Sequence, residues 1–161
     1  MVDSVDVETR SDLVGGMGDV YFEMGDTLLA FQTYENALQL FPLNIGIMNN
    51  YAYFLSVCNR DLDKAEQMSA TTIKAEPDNA TYLDTYAWVL FKKGDNEKAL
   101  QYIKKALDND EAPSVELLEH YGDILDACGD HEEALKQWRK ASDLAPDNDS
   151  IKAKASRSDN H

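Results

Sequence analysis

Residues 81–114 read TYLDTYAWVLFKKGDNEKALQYIKKALDNDEAPS, and this stretch has the pattern of a complete helical hairpin. Its first half places Tyr86, Ala87 and Leu90 at intervals of one and three residues, which puts them on one face of a helix. Its second half carries another stripe at helical spacing, formed by Ala99, Ile103 and Ala106. The stretch therefore predicts two helices that pack against each other through these stripes.

A glycine followed by an aspartate separates the two stripes. Glycine adopts the left-handed conformation that closes a helix, and aspartate caps the first turn of the next one. This dipeptide stands between the two stripes in three units, as Gly25-Asp26, Gly94-Asp95 and Gly129-Asp130. One turn, Asn59-Arg60-Asp61, has a different composition and is one residue longer, so its geometry is expected to differ.

The hairpin pattern repeats along the chain with a period close to that of its prolines. The four prolines lie 35, 36 and 33 residues apart, at Pro42, Pro77, Pro113 and Pro146. Four units follow from this period, near residues 11–44, 45–79, 80–114 and 115–148. A single hairpin cannot bury its apolar stripe, so neighbouring units must stack. The prediction is an all-α array with eight repeat helices and no sheet.

The two ends of the chain depart from the repeat. Residues 1–10 form an acidic lead that is either disordered or the remnant of an upstream repeat. Residues 149–161 predict a capping helix and a tail, since Ile151 and Ala155 form one weak apolar pair among charged residues. If the chain is a fragment, its first helix presents an apolar edge, and self-association of isolated copies through that edge is one expectation.

The motifs G-x-x-Y and A-x-x-x-[YW]-x-x-A, with the terminal proline, resemble the tetratricopeptide repeat family over residues 11–148. The resemblance implies a right-handed superhelical solenoid of antiparallel helix pairs. It also implies that the first helices line a concave groove that binds peptides or partner proteins. The segments NNYAYFL and EHYGDILDACGDHEEALKQW further resemble the C-terminal part of larger bacterial proteins of this family, many of them exported to the cell envelope.

Charge and hydropathy restrict the classes of partner. The chain has 15 Lys and Arg against 30 Asp and Glu, a formal net charge of −15. Nucleic acid and direct membrane binding both need basic patches, so neither is expected. No apolar run approaches the length that a membrane-spanning helix needs, and no export signal is recognisable. The sequence therefore predicts a soluble chain. Its compartment stays open: cell envelope or periplasm for a fragment of an exported protein, otherwise cytoplasm.

No pattern indicates catalysis. The chain contains no nucleotide-binding, hydrolase or zinc-peptidase motif, so an enzyme, a cofactor and a metal site are not expected. His131, Glu132 and Glu133 are consecutive on a helix and point in different directions, which favours a solvated first turn over a metal cluster. Cys58 and Cys128 occupy equivalent slots two units apart and are predicted to be buried or half-buried thiols that do not join.

The resemblance assigns the predicted partner-binding groove to first-helix residues opposite the apolar stripe. They are Asp19, Phe22, Glu23, Asn49, Asn50, Tyr53, Asp84, Thr85, Trp88, Phe91, Lys92, Glu119, His120, Asp123 and Asp126. Tyr53 and Trp88 occupy one slot in the middle units, and Asp19 and Asp123 occupy it in the outer ones. Either the two aromatic residues anchor a partner or they only pack against neighbouring helices.

Two functions remain at this stage. The first is a non-catalytic interaction module whose partner has an apolar anchor and basic flanks, because no Lys or Arg occurs between Arg10 and Arg60. The carboxylate-binding residues of tetratricopeptide co-chaperones do not carry over, since only Asn50 matches them. The second function is a purely architectural segment of a larger protein, which would be enzymatic or related to secretion.

Overall fold

The computed structural model describes residues 6–157. Within that range it contains nine α-helices and no strand, which confirms the all-α prediction of eight repeat helices and a terminal one. The helices are α1 Val7–Glu23, α2 Thr27–Leu40, α3 Ile45–Val57, α4 Leu62–Ala75, α5 Ala80–Lys92, α6 Asn96–Asp108, α7 Val115–Ala127, α8 His131–Leu144 and α9 Asp149–Ala155. Residues 7–10 of the predicted lead belong to α1. Residues 1–5 and 158–161 lie outside the described range.

The chain divides into two compact units, Met1–Ala75 and Glu76–His161. In the first unit α1 pairs with α2 and α3 pairs with α4, and α3 also packs against α1 and α2. In the second unit α5 pairs with α6 and α7 pairs with α8; α7 also packs against α5 and α6, and α9 covers α8. The four pairs are repeats one to four below.

The turns within the repeats follow the predicted chemistry. Gly25, Gly94 and Gly129 have φ of 83°, 89° and 88°, the left-handed conformation that closes a helix. In repeat two the different turn sequence gives a different backbone conformation, as expected. There, Asn59 and Asp61 both take the left-handed region, with φ of 53° and 42°.

Each repeat holds a small residue where its two helices cross. This slot is occupied by Gly18, Ala52, Ala87 and Gly122, of which all are buried. A Cβ atom added to Gly18 would lie 2.7 Å from Cε1 of Tyr34, and one added to Gly122 would lie 2.5 Å from Cδ1 of Trp138. The glycines therefore allow the aromatic ring of the second helix to lie against the backbone of the first.

The repeat pattern also predicts that Met17, at the slot of Tyr86 in repeat one, belongs to the buried stripe, but it is exposed. Met17 is 51% exposed, whereas Tyr51 and Tyr86, at the same slot in repeats two and three, are buried. The prediction was wrong at Met17 because, among the described residues, no helix packs against that side of α1. The face it belongs to is treated separately below.

A buried polar network joins the start of α1 to the turn between α2 and α3. Ser11 Oγ donates to the carbonyl oxygen of Ala37 at 2.8 Å. Asn44 Nδ2 donates to Ser11 Oγ at 3.0 Å and to Asp12 Oδ1 at 2.7 Å. Asn44 Oδ1 accepts from the backbone N–H of Ile47 at 3.2 Å and so caps α3. Three helices of the first unit thus share one set of hydrogen bonds.

The terminal helix α9 caps the second unit as the sequence predicts. Ile151 is buried in a cluster with Leu118 of α7 and Ala141 of α8. The other residues of α9 are exposed or half-buried. Across the described part of the chain, the helices are too short or too polar to cross a bilayer.

Candidate binding faces

The predicted groove residues of the first unit meet around Asp19. This carboxylate accepts a hydrogen bond from the hydroxyl of Tyr34, and Asn50 Nδ2 lies 3.3 Å from both of its oxygens. Burial and the hydrogen bond to Asp19 raise the pKa of Tyr34 above its ordinary value. Asp19 therefore holds a core tyrosine in place, while Glu23 is exposed and Asn49 is buried.

Aromatic rings form the rest of this face. Phe22 stacks on Phe54 with ring centroids 3.9 Å apart, and Phe54 in turn stacks on Tyr34. Phe22 is thus part of the packing between α1 and α3. Tyr53 is half-buried and tilts against Phe54 at 5.4 Å between centroids, so part of its ring faces solvent.

In the second unit, three predicted groove residues form one cluster. His120 of α7 is buried, and its Nδ1 lies 2.8 Å from Asp84 Oδ1 of α5. The His120 ring is parallel to that of Trp88, with centroids 4.0 Å apart and 17° between planes. Sequence periodicity predicted that these residues share a face, but it did not predict that His120 is covered by its neighbours.

The charge of His120 follows from the carboxylates around it. Burial alone would lower its pKa, but the hydrogen bond and charge of Asp84, with the charges of Glu116 and Asp123, raise the pKa above 6.5. Glu116 Oε1 lies 3.9 Å from His120 Nε2. A protonated imidazole stacked on Trp88 adds a cation–π contact to the ion pair.

Trp88 itself is half-buried between two repeats. Its ring lies 4.9 Å from that of Phe91, and the Lys92 ammonium lies 5.6 Å from its centroid. Its Nε1 atom is buried and finds no hydrogen-bond acceptor among the described residues. Thr85, on the same helix, is buried. Packing therefore covers part of the indole and leaves the rest accessible.

An acidic cleft of about 150 Å³ lies beside this cluster. Its lining residues come from the starts of α5 and α7 and from the loop between α6 and α7: Ala80, Thr81, Asp84, Asp110, Ser114, Glu116 and Leu117. Neither Asp110 nor Glu116 was among the predicted groove residues. The acidic insertion DNDEAPS before α7 was the available signal, since loops on one face of a repeat array commonly form its binding surface.

The predicted acidic rim of repeat four is already paired. Lys154 of α9 lies 2.8 Å from Asp123 Oδ1 and 2.7 Å from Glu119 Oε1. Arg157 lies 3.5 Å from Asp126, which also contacts His131 at 2.6 Å. Burial would lower the pKa of Lys154, but its hydrogen bonds to Asp123 and Glu119 outweigh that effect and raise it. These three acids therefore bind the terminal helix.

A larger apolar cleft in the second unit contains no predicted groove residue. It has a volume of about 760 Å³ and is lined mainly by aliphatic and aromatic side chains. The lining is Leu107, Ala112, Pro113, Leu118, Tyr121, Gln137, Lys140, Asp143 and Leu144. The sequence shows these residues only as parts of three separate helices and a loop, so no local pattern predicted the cleft.

The two cysteines are not joined to each other. Both cysteines are free thiols, and Cys128 is exposed, which corrects the prediction that it is buried or half-buried. Cys128 is the C-cap residue of α7, directly after the last helical residue. Burial of the sulfur and the charge of Glu97 raise its pKa, which keeps the thiol protonated. Within residues 6–157, no group of three or more His, Cys, Asp or Glu is arranged to hold a metal.

Helical hairpins that repeat along a chain and expose polar and aromatic side chains on their first helices define a class of repeat proteins. A family profile described as tetratricopeptide repeat matches residues 16–146. The chain therefore belongs to the tetratricopeptide repeat family, whose members generally act in protein–protein interaction or as scaffolds. Among curated proteins, none matches the sequence.

Three solved structures illustrate the similarity of fold. A MamA structure from Desulfovibrio magneticus RS-1 is 19% identical, with a TM-score of 0.69, over 86% of this chain and 77% of that chain. A tetratricopeptide repeat protein from Parabacteroides merdae is 20% identical, with a TM-score of 0.75, over 90% and 56%. Pseudomonas aeruginosa PilF is 18% identical, with a TM-score of 0.77, over 92% and 67%. At these identities the similarity establishes the fold alone.

Proposed function

We propose that the chain is a non-catalytic interaction module that binds a peptide or partner protein through the first helices of its repeats. The bound segment has an apolar or aromatic anchor with basic flanks. The observation that carries this proposal is Trp88, a large indole that is half-buried and supported from behind by His120. Rigid, partly exposed tryptophans are typical anchors of protein interfaces.

The basic flanks follow from the charges around that indole. Asp84 and Glu116 line the cleft beside it, and Asp110 extends the same acidic surface. His120 neutralises only part of this charge. A lysine or arginine next to the anchor residue would enter a negative potential, which accelerates association and selects against acidic peptides.

The chain contains an internal example of this recognition. Lys154 approaches Asp123 and Glu119 as a basic side chain of a partner would approach Asp84 and Glu116. Asp84 occupies in repeat three the slot that Glu119 occupies in repeat four, whereas the slot of Asp123 is occupied by Trp88. Acids on the first helices are therefore close enough together to bind one ammonium group jointly.

A peptide array provides the test. Short synthetic peptides would carry a central Leu, Phe, Trp or Asp, with Lys, Ser or Glu on both sides, and binding would be measured by fluorescence polarisation. Lysine-flanked aromatic peptides are expected to bind best, and their affinity should fall as salt shortens the range of the acidic potential. Trp88→Ala should weaken that binding at least tenfold, about 1.4 kcal/mol.

Trp88→Phe is the matched control, because it retains an aromatic anchor on the same support. Its loss of binding free energy should be less than half of the loss caused by Trp88→Ala. The proposal is contradicted if Trp88→Ala binds the preferred peptides as well as the unmodified protein does, or if glutamate-flanked peptides bind equally well.

The architectural alternative is favoured by one observation. Asp19, Asp123 and Asp126 are all engaged by side chains of the same chain, as a segment that only extends a larger protein would require. Lys154→Ala separates the two functions. An interaction module should bind lysine-flanked peptides more tightly once Asp123 is released, whereas an architectural segment should only lose stability.

A further inference from the structure

A continuous apolar stripe on α1 faces solvent. Leu13, Met17, Val20 and Met24 recur at intervals of four, three and four residues and are all exposed. Gly16 lies beside them. These five residues are called the α1 face below. The spacing is that of one side of a helix, so the stripe has the pattern of a helix-packing surface.

Two slots of the α1 face, those of Leu13 and Val20, are buried in repeat four. Leu13 and Val20 are 64% and 52% exposed, whereas their equivalents in repeat four, Leu117 and Ile124, are 3% and 0% exposed. In repeat two, Ile47 takes the slot of Leu13. It packs so closely on α1 that a Cβ atom at Gly15 would lie 2.7 Å from its Cγ1. The apolar composition of the α1 face thus matches that of first-helix surfaces that pack against a neighbouring repeat.

The backbone of α1 is also open to close approach. Nothing lies within 4 Å of a Cβ atom built on Gly16. A shallow hollow of about 490 Å³ surrounds it, lined by Asp12, Leu13, Gly16, Met17, Val20 and Tyr21. A helix laid across this glycine would contact the α1 backbone directly, as aromatic rings contact Gly18 and Gly122 within the repeats.

The charge around the face determines which helix fits. Asp12 and Glu23 are exposed and border the stripe three helical turns apart. No Lys or Arg occurs between Arg10 and Arg60, so the surface of the first repeat offers almost no positive charge. A second copy of this chain would bring the same acids to the interface, and its net charge of −15 opposes that contact.

The geometry points to a basic amphipathic helix of a partner protein as the ligand of the α1 face. Helix α6 shows the required chemistry, since α7 packs against it in repeat four. Its Leu100 and Leu107 pack against buried clusters that include residues of α7, and Lys104 and Lys105 are exposed. A partner helix of this kind would cover Leu13 and Met17 with aliphatic side chains and bring lysines to Asp12 and Glu23. This surface belongs to the first unit, whereas Trp88 belongs to the second.

The test uses a defined probe. It is a synthetic amphipathic peptide of about 18 residues, long enough to form an isolated helix, with leucines on one side and lysines along both edges. Binding to the full chain would be measured by calorimetry. Leu13→Gln combined with Met17→Gln should weaken binding at least tenfold, about 1.4 kcal/mol. Both side chains are exposed, so circular dichroism should show an unchanged helix content.

Two controls make the result specific. Leu144→Gln removes an equally exposed leucine from the second unit and should leave the affinity for the probe unchanged. The same peptide with glutamate in place of lysine should bind at least tenfold more weakly. Equal binding of the two peptides, or equal losses from Leu144→Gln and the α1 variant, would overturn the proposal.

Sedimentation equilibrium of the protein alone decides between a partner helix and a second copy. The chain is expected to be monomeric, and the α1 variant should sediment identically. A dimer that dissociates in the α1 variant would assign the face to self-association and overturn the proposal.

Discussion

Repeats one and four fill the crossing of their two helices with a large ring, whereas repeats two and three do not. Tyr34 and Trp138 occupy the crossing slot in the outer repeats, and Ser69 and Ile103 occupy it in the middle ones; all four are buried. The outer repeats compensate with glycine on the first helix, and the middle repeats carry alanine there. A larger residue of the second helix thus meets a smaller one of the first helix in repeats one, three and four, whereas repeat two has small residues, Ala52 and Ser69, on both helices.

The outer and middle repeats also differ at one first-helix slot, which is occupied by Asp19, Tyr53, Trp88 and Asp123. The large rings carry polar atoms that need an acceptor: Asp19 accepts from the hydroxyl of Tyr34, and Asp123 accepts from Trp138 Nε1 at 3.0 Å. Ile103 has no polar side-chain atom, and the hydroxyl of Ser69 has no partner among the described residues. The equivalent slot in the middle repeats is therefore available for the aromatic residues Tyr53 and Trp88. The comparison shows that the composition of a repeat's core limits which residues can serve its surface.

The largest expected effect separates the two kinds of tryptophan. Trp138→Ala should lower the free energy of unfolding by about 3–5 kcal/mol, because it removes a buried ring and leaves a cavity. Trp88→Ala should cost less, about 2 kcal/mol, since that side chain is only partly buried. Urea denaturation followed by circular dichroism measures both. Equal losses would remove the distinction between outer and middle repeats.

A smaller effect tests the glycine at the crossing. Gly122→Ala should destabilise the protein by about 1–3 kcal/mol, because the new methyl group would overlap the ring of Trp138. Gly16→Ala is the matched control, since its methyl group would meet open space and should stabilise α1 by about 0.5–1 kcal/mol. Thermal denaturation measures both changes.

A double-mutant cycle sharpens the same point. Trp138→Ile gives repeat four the crossing residue of repeat three, so Gly122→Ala should cost much less in that background. A full loss in the double variant would mean that the conflict does not lie between these two side chains.

A change at the middle crossing should stabilise the protein. The hydroxyl of Ser69 is buried and has no hydrogen-bond partner among the described residues. Ser69→Ala should therefore raise the free energy of unfolding by about 1 kcal/mol, since an unpaired buried polar group is lost. Thr72→Ala, on the same face of α4, removes a hydroxyl that donates to the backbone of Ser69 and should not stabilise. Chemical denaturation of the two variants provides the comparison.

The smallest effect depends on pH and concerns the histidine that supports Trp88. Its folded pKa is raised, so the stability that His120 contributes is complete below its unfolded pKa, about 6.5. That contribution is lost as the pH rises through the folded pKa. The difference in unfolding free energy between the unmodified protein and His120→Gln should therefore shrink as the pH rises above about 6.5. Asp84→Asn should lower the pKa of His120 in an NMR titration, and an unchanged pKa would contradict this assignment.

The sequence was sufficient for the helices but not for the partners of their side chains. A period in prolines and Gly-Asp turns determines where each helix begins and ends, and these are local effects. The pairing of Lys154 with Asp123 and the stacking of His120 on Trp88 depend on how separate helices are placed. Helical periodicity assigned a direction to each residue. It could not show that residues predicted to face the groove also contact a neighbouring helix.

The hydrogen bonds that join Ser11, Ala37 and Asn44 affect how the first unit opens. A repeat array can unfold one hairpin at a time when adjacent hairpins share only apolar contacts. Here α1 cannot separate from α2 without exposing Ser11, and that exposure also removes the partner of Asn44 at the start of α3. Amide hydrogens of all three helices should therefore exchange with solvent through one common opening rather than in sequence. The first unit would then respond to mechanical or thermal stress as a single cooperative body.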